Sequence, residues 1–131
     1  MYTTLDIKTE PEGFFDITAR VQQAIRSEGI TEGICTVFTP HTTCGITMNE
    51  NADPDVQHDL RLSFAQAFPS DRRFRHMEGN SHAHARSSAM GASCTVIIEK
   101  GRLLLGIWQG IYLVEFDGPR IRQVYVKCIP G

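Results

Sequence analysis

Three stretches of this chain hold residue types suited to chemistry. The first runs from His41 through Asn49-Glu50-Asn51 and Asp53-Pro54-Asp55 to His58. Free imidazole titrates near neutrality, so His58 is of a residue type suited to general acid–base work. Glu50 and Asp55 supply carboxylates that can move protons or hold a cation, and Asn49 offers an amide to a substrate. Asn51 and Asp53 suit loop and cap duties equally well. The second stretch, His76 to Ser88, carries Glu78, Asn80, His82, His84 and Arg86. Imidazole is the commonest metal ligand, and catalytic zinc uses three protein ligands with one open position. His82 and His84 share a side only in an extended segment; on a helix they diverge by ~200°. At most one of that pair therefore needs to be a ligand. The third stretch is Gly106-Ile107-Trp108-Gln109-Gly110, where the sole Trp sits beside a Gln. Trp can offer a stacking face, and Gln both a donor and an acceptor. A P-loop, a G-x-G-x-x-G turn, a G-x-S-x-G elbow and a Cys beside a His are all absent.

These residues must be held by ordered elements, and the pattern predicts which. Thr3, Leu5 and Ile7 alternate with polar neighbours, as in an edge strand. Pro11-Glu12-Gly13 signals a turn. Asp16 is the expected N-cap of a helix with Ile17, Val21 and Ile25 on one face and Gly29 just past its end. Gly33–Phe38 reads as a central strand and Thr43–Met48 as a second, with His41 between them. Asp53-Pro54 predicts a helix start, followed by a core face of Val56, Leu60 and Phe64 and an end near Pro69. Residues 70–86 lack a sustained period and read as a long loop, a length usually reserved for function or disorder. Strands are expected at Ser93–Glu99, Leu103–Trp108, Ile111–Phe116 and Ile121–Ile129, joined by Lys100-Gly101 and Asp117-Gly118-Pro119 turns. Cys35-Thr36-Val37 and Cys94-Thr95-Val96 hint at a duplication. The expectation is one α+β domain over residues 1–131. It is a mostly antiparallel sheet, sandwich or barrel-like, with two helices and a closing four-strand meander.

The chain has 131 residues, 41% of them hydrophobic and 21% charged, enough for one self-sufficient core. A net charge of −2 argues against binding nucleic acid or a membrane surface through bulk basicity. The charge is uneven. Residues 1–70 hold four Lys/Arg against ten Asp/Glu, and residues 71–131 hold nine against five. Four of the five histidines lie where the sign changes, so acids, bases and imidazoles are expected to meet at one site. Four cysteines without a C-x-x-C pair, no signal-peptide pattern and no membrane-length apolar run suggest a reducing cytoplasm.

Taken together, these blocks resemble the YjbQ-like family, whose members carry the label secondary thiamine-phosphate synthase. The resemblance is carried by HTTCGITMNENADPDVQHDL (41–60), by His76, Glu78-Gly79-Asn80, Ala83-His84 and Arg86-Ser87-Ser88 with Gly91, by KGRLLLGIWQG (100–110) and by a closing RIRQVYV strand. It covers nearly the whole chain. His84 matches the family pattern and His82 does not, which favours His84 as a ligand. The resemblance implies an α+β homotrimer with a polar His-rich site. It also implies a weak ability to join pyrimidine diphosphate and thiazole phosphate precursors into thiamine phosphate. On this reading His41, His76 and His84 hold a divalent metal, zinc first. Glu50, Asp55 and His58 then act in catalysis. Asn49, Asn80, Arg86, Trp108 and Gln109 bind a small phosphorylated metabolite. Two alternatives stand beside it: a metal-assisted hydrolase of a small phosphorylated or carboxylated metabolite, and a non-enzymatic oligomer that binds a metal or ligand.

Overall fold

The computed structural model describes residues 1–131. Eleven elements follow one another: β1 (Thr3–Lys8), β2 (Gly13–Asp16), α1 (Thr18–Glu28), β3 (Gly33–Phe38), β4 (Cys44–Glu50), α2 (Pro54–Ala67), α3 (Ser81–Met90), β5 (Ser93–Glu99), β6 (Arg102–Leu103), β7 (Gln109–Glu115) and β8 (Ile121–Pro130). They form two antiparallel sheets. One has five strands in the order β1-β8-β3-β5-β6, and the other has three in the order β2-β7-β4. The class is α+β, as expected, with β1 at an edge and β3 in the centre.

Four layers result. The inner face of the five-stranded sheet (Cys35, Val37, Val96, Val124, Val126) packs with α1 (Val21, Ala24, Ile25) against one face of the smaller sheet (Ile46, Ile111, Leu113). Each Val, Leu or Ile buried there contributes roughly 1.5–3 kcal/mol relative to exposure. A second cluster (Ala83, Tyr112, Val114, Phe116) lies where α2 and α3 cover the other face. β7 is thus buried on both sides, and this is why Ile111–Phe116 reads as an unbroken apolar run.

Several expectations need correction. There are three helices: the segment read as a loop over 70–86 contains the start of α3. Its buried positions are Ala83, Arg86 and Ser87. They recur at helical spacing, but two of the three are polar, so an apolar period does not reveal it. Strand β2, over Gly13–Asp16, lies where only a turn was expected. The Leu103–Trp108 strand is reduced to Arg102–Leu103, because Gln109 Oε1 accepts the Gly106 N–H at 2.8 Å and turns the chain towards the other sheet. There is no meander: β7 leaves the five-stranded sheet, and Asp117-Gly118-Pro119 carries the chain back to it. Asp16 caps from one step outside, accepting from the Thr18 amide and hydroxyl, while Ile17 holds the N-cap position. The two Cys-Thr-Val runs are cross-strand partners, with Thr36 opposite Thr95, so no duplication is needed to explain them. No side chain of α2 is fully buried; Val56, Leu60 and Phe64 are only half-buried.

Other signals hold. Asp53 caps α2 by accepting the Asp55 amide at 2.9 Å, with Pro54 in the first turn. Gly29 ends α1 with φ +67°, a left-handed conformation that favours glycine. Lys100 and Gly101 both have positive φ, as a two-residue hairpin between β5 and β6 requires. α3 lies close on β4. Ser87 Oγ donates to the Cys44 carbonyl at 2.6 Å, and a Cβ at Gly45 would meet Met90 and the Gly91 carbonyl at 3.0 Å. No helix is long and apolar enough to cross a membrane.

Candidate functional site

The loop between β3 and β4, the start of α3 and the start of β8 enclose a cleft of about 290 Å³. Its walls are Pro40, His41, Thr42, Thr43, Glu78, Asn80, His84, Arg120 and Arg122, with no hydrophobic side chain among them. His41 is placed there because β3 ends at Phe38 while β8 continues. Gln123 of β8 would otherwise have unpaired backbone groups. Its N–H donates to His41 Nε2 at 3.0 Å and its carbonyl accepts from Thr39 Oγ1 at 2.8 Å. Since Nε2 accepts, the ring proton sits on Nδ1. Burial, reinforced by the neighbouring Arg122 guanidinium, holds the His41 pKa below the ordinary imidazole value, consistent with that neutral tautomer.

A buried ion pair forms the floor. Arg122 Nε donates to Glu115 Oε1 at 2.8 Å, and Nη2 donates to Glu115 Oε2 and to Thr43 Oγ1, the latter at 2.8 Å. Thr9 Oγ1 adds a bond to Glu115 Oε1 at 2.6 Å, and the Asp117 amide one to Oε2 at 3.1 Å. Burial by itself would raise the Glu115 carboxyl, but these donors outweigh it and hold its pKa below the usual carboxylate range. Because Glu115 lies on β7 and Arg122 on β8, the pair ties the two sheets together beneath the cleft. Arg120 is likewise paired, with Asp117, at 2.9 Å. Both guanidiniums that line the cleft therefore arrive with a carboxylate partner.

Asn80 sits at the N-cap of α3 without capping it. Its Nδ2 donates to Asp117 Oδ2 at 2.7 Å and to Glu78 Oε2 at 3.3 Å. Those two acceptors fix the amide orientation and leave the buried Oδ1 without a partner. An unsatisfied buried acceptor costs about 1–3 kcal/mol.

The residues singled out in the sequence separate into two groups. His41, Asn80 and His84 meet in the cleft, and the His76 ring stands edge-on to His84 with centroids 5.5 Å apart. His84, and not His82, lines the cleft. Asn49, Glu50, Asn51, Trp108 and Gln109 lie at the other end of the small sheet. Cys44 pairs with Glu115 at the cleft end, and Glu50 with Gln109 six residues further on, so the two ends are about 20 Å apart. The far end is well fixed. The Asn51 amide donates to the Trp108 carbonyl at 2.8 Å, Asn51 Nδ2 to the Gln109 carbonyl at 2.9 Å, and Tyr112 Oη to the Glu50 carbonyl at 2.8 Å. Trp108 is nonetheless 60% and Ile107 80% exposed. Asp55 lies in the first turn of α2, and His58 is exposed and paired with adjacent Asp59 at 3.0 Å. Arg86 is buried. Its guanidinium is committed to the Phe68 carbonyl at 3.1 Å and to Glu12 at 3.4 Å. Sequence reasoning missed Arg120 and Arg122 as neighbours of the histidines and gave Thr43 and Glu78 no role. The acid–base alternation of Glu115, Asp117, Arg120 and Arg122 around a turn was the available signal.

No three His, Cys, Asp or Glu side chains gather closely enough to hold a metal ion. His41 does not join the His76–His84 pair as a third ligand through Nε2, because that atom already serves Gln123.

The fold and cleft define an α+β protein of two antiparallel sheets with a polar, histidine-lined cavity at one end of the smaller sheet. The family pattern described as UPF0047 protein YjbQ-like matches residues 3–131, and the chain belongs to that family. UPF0047 protein YugU of Bacillus subtilis is 52% identical over 131 residues, covering 98% of this chain and 99% of the relative. A UPF0047 protein of Methanocaldococcus jannaschii is 50% identical over 124 residues, covering 94% and 90%. A crystal structure of a Clostridium acetobutylicum protein of the YjbQ/UPF0047 family superposes with a TM-score of 0.91 at 50% identity, covering 98% of this chain and 99% of that one. A YbjQ-like protein of unknown function from Sulfolobus solfataricus gives 0.94 at 30% identity, covering 100% and 97%.

Proposed function

We propose that this chain is an enzyme of the secondary thiamine-phosphate synthase type, acting on small phosphorylated metabolites in the His41–His84 cleft. One observation carries the reading: two imidazoles, two guanidiniums and two threonine hydroxyls share one small cavity with the Asn80 amide and the Glu78 carboxylate and with no apolar wall. The imidazoles, guanidiniums and hydroxyls are donors for phosphate oxygens, while the Asn80 N–H groups are already spent on Asp117 and Glu78. Joining the two precursors breaks the bond between the pyrimidine methylene and diphosphate, and the thiazole nitrogen supplies the new bond. The charge that builds on the departing diphosphate needs fixed N–H donors. The His41 Nδ1–H, held in place through Nε2, is suited to that role, as are the guanidinium protons of Arg120 and Arg122. His84 can carry a proton to the leaving oxygen. The carboxylate partners of both arginines reduce the pull on an anion, so the protein binds phosphate through aimed donors more than through net charge.

A divalent metal, zinc by family resemblance, is a separate proposal. The imidazoles of His76 and His84 would hold it, and it would supply Lewis-acid stabilisation of phosphate oxygens. Elemental analysis checks it, with loss of metal in His84→Ala as the supporting result. Self-association as a homotrimer is likewise proposed. It is supported by the exposed apolar side chains Ile34, Phe38, Ile97 and Ile129 of the five-stranded sheet and by Tyr2 just before it.

The test is formation of thiamine phosphate from the two precursors by purified protein. His41→Ala and His84→Ala should each lower kcat/KM by about 10²-fold or more, the size expected for losing positioned donors or an acid–base group. One observation favours a second reading, hydrolysis of a small phosphate ester: no face in the cleft of a single chain can stack on a pyrimidine. Faster release of inorganic phosphate from simple esters than formation of thiamine phosphate would select it.

A further inference from the structure

We infer that the site is composite: a second copy of this chain, packed head to tail, places its Ile107–Trp108 tip at the mouth of the His41–His84 cleft. The inference rests on the reading of that cleft as the functional site, and four observations support it.

The two ends of the small sheet are complementary and cannot meet within one chain. Along β4 and β7 they lie about 20 Å apart. The tip end carries carboxylates: residues 49–55 contain Glu50, Asp53 and Asp55 and no Lys or Arg. The segment leading into His76 beside the cleft contains Arg72 and Arg75, exposed and without a carboxylate partner among the ion pairs of the chain. Unpaired guanidiniums beside the cleft and unpaired carboxylates at the opposite end can meet only between two copies, and such a head-to-tail contact closes into a ring when the rotation allows.

The tip is ordered as though for a contact. Ile107 is 80% and Trp108 60% exposed, yet the segment is pinned by Asn51 and by the Gln109 side chain bonding back to Gly106. Exposed, rigid aromatic groups are characteristic anchors of interfaces.

The cleft lacks what the tip offers. All of its lining is polar or prolyl, and Arg120 remains about half exposed at its edge. An indole face over that guanidinium makes a favourable cation–π contact. It also gives a flat ligand ring the stacking wall that the single chain does not provide.

Finally, a largely apolar hollow of about 450 Å³, lined by Tyr2, Thr36, Phe38, Tyr125, Lys127 and Ile129, is built partly from β8, the strand whose Gln123 holds His41. Tyr125 Oη bonds Gln123 Oε1 at 3.1 Å, and Gln123 is the residue that holds His41. A copy seated on this hollow would contact the strand that holds His41.

Trp108 is the only tryptophan and reports the contact directly. Light scattering should give a multimer in which Trp108 emission is blue-shifted and acrylamide quenching is several-fold weaker than in free indole. The double variant Arg72→Glu, Arg75→Glu should shift emission to the red and restore free quenching. Independently, Ile107→Cys and Thr42→Cys chains are co-expressed and treated with a short bis-maleimide. A covalent pair containing one chain of each kind supports the contact. A monomeric mass overturns it. So does a multimer whose Trp108 is freely quenched, or one that yields no mixed cross-link. None of these readouts needs turnover. A cross-linked multimer that makes no thiamine phosphate therefore sinks the proposed activity and leaves the contact standing.

Discussion

Replacing Glu115 by Ala removes one carboxylate that accepts from Arg122, Thr9 and the Asp117 amide, at a position 1% exposed. The Arg122 side chain is only 3% exposed and would be left as an uncompensated buried charge. Breaking a buried pair in this way costs about 3–5 kcal/mol. Unfolding entropy of about 2.1 cal/mol/K per residue near 60 °C gives about 0.28 kcal/mol/K for 131 residues. The melting temperature should therefore fall by roughly 10–20 °C. Calorimetry or far-UV circular dichroism reads this, at fixed protein concentration so that any assembly equilibrium is held constant. The control is the double variant Glu115→Leu, Arg122→Met, in which apolar groups of similar size replace both charges. It should recover most of the loss, since such swaps are often neutral. A fall below about 3 °C in Glu115→Ala would refute the reasoning, given that a cost of 1 kcal/mol alone moves Tm by that much. So would a double variant as unstable as the single one.

Four further outcomes follow from the same geometry. Asp53→Ala should cost about 0.5–2 kcal/mol, because Asp53 caps a helix with no fully buried side chain; urea denaturation followed at 222 nm checks it. Gly33→Ala should destabilise by about 3 kcal/mol or more. The added Cβ would collide with the Ile129 carbonyl oxygen at a backbone φ of +149°, and soluble yield together with Tm reads the effect. Acid should weaken the fold. The Glu115 and Asp117 pKa values are both held below their ordinary 4.5 and 3.8, so their stabilisation is complete at neutral pH. It is lost as pH falls below about 4.5 towards the folded-state values, and a Tm–pH profile without that acid limb would contradict the sign. The thiols should be slow. Burial raises the pKa of Cys35, Cys44 and Cys128 and pushes Cys94 up to about 11, so an Ellman titration of native protein at pH 8 should show no fast equivalent.

Where pattern and burial coincide, the fold was legible. The bounds of β3 and β5 match the β-branched, apolar runs Gly33–Phe38 and Ser93–Glu99, and Asp53-Pro54 marked the start of α2. α3 was hidden because a helix packed through Ala83, Arg86 and Ser87 buries small and paired polar groups, leaving nothing for an apolar period to register. The 104–108 segment has the composition of a strand, but its fate is set by the Gln109 side chain and by β7 joining the other sheet. The site was half legible. Histidine spacing limited His82 and His84 to one ligand, and the family resemblance chose His84, which lines the cleft. No local pattern shows that Glu50 and Trp108 lie at the opposite end of the same sheet, because that separation follows from the β4–β7 register. Arg86 looked like a ligand contact and proved to be a clamp on Phe68 and Glu12.

The close seating of α3 on β4 sets a dimension of the cleft. His84 rides on α3, and His41 stands just ahead of β4. Between the two elements lies Gly45, where even one methyl group would press on Met90 and on the Gly91 carbonyl at 3.0 Å. The gap across which the two imidazoles face a ligand is therefore gauged by an absent side chain outside the cavity. A single carbon added at position 45 would act as a shim: it would lift the helix, widen the cavity by a fraction of an ångström and alter ligand selection while leaving every lining residue unchanged.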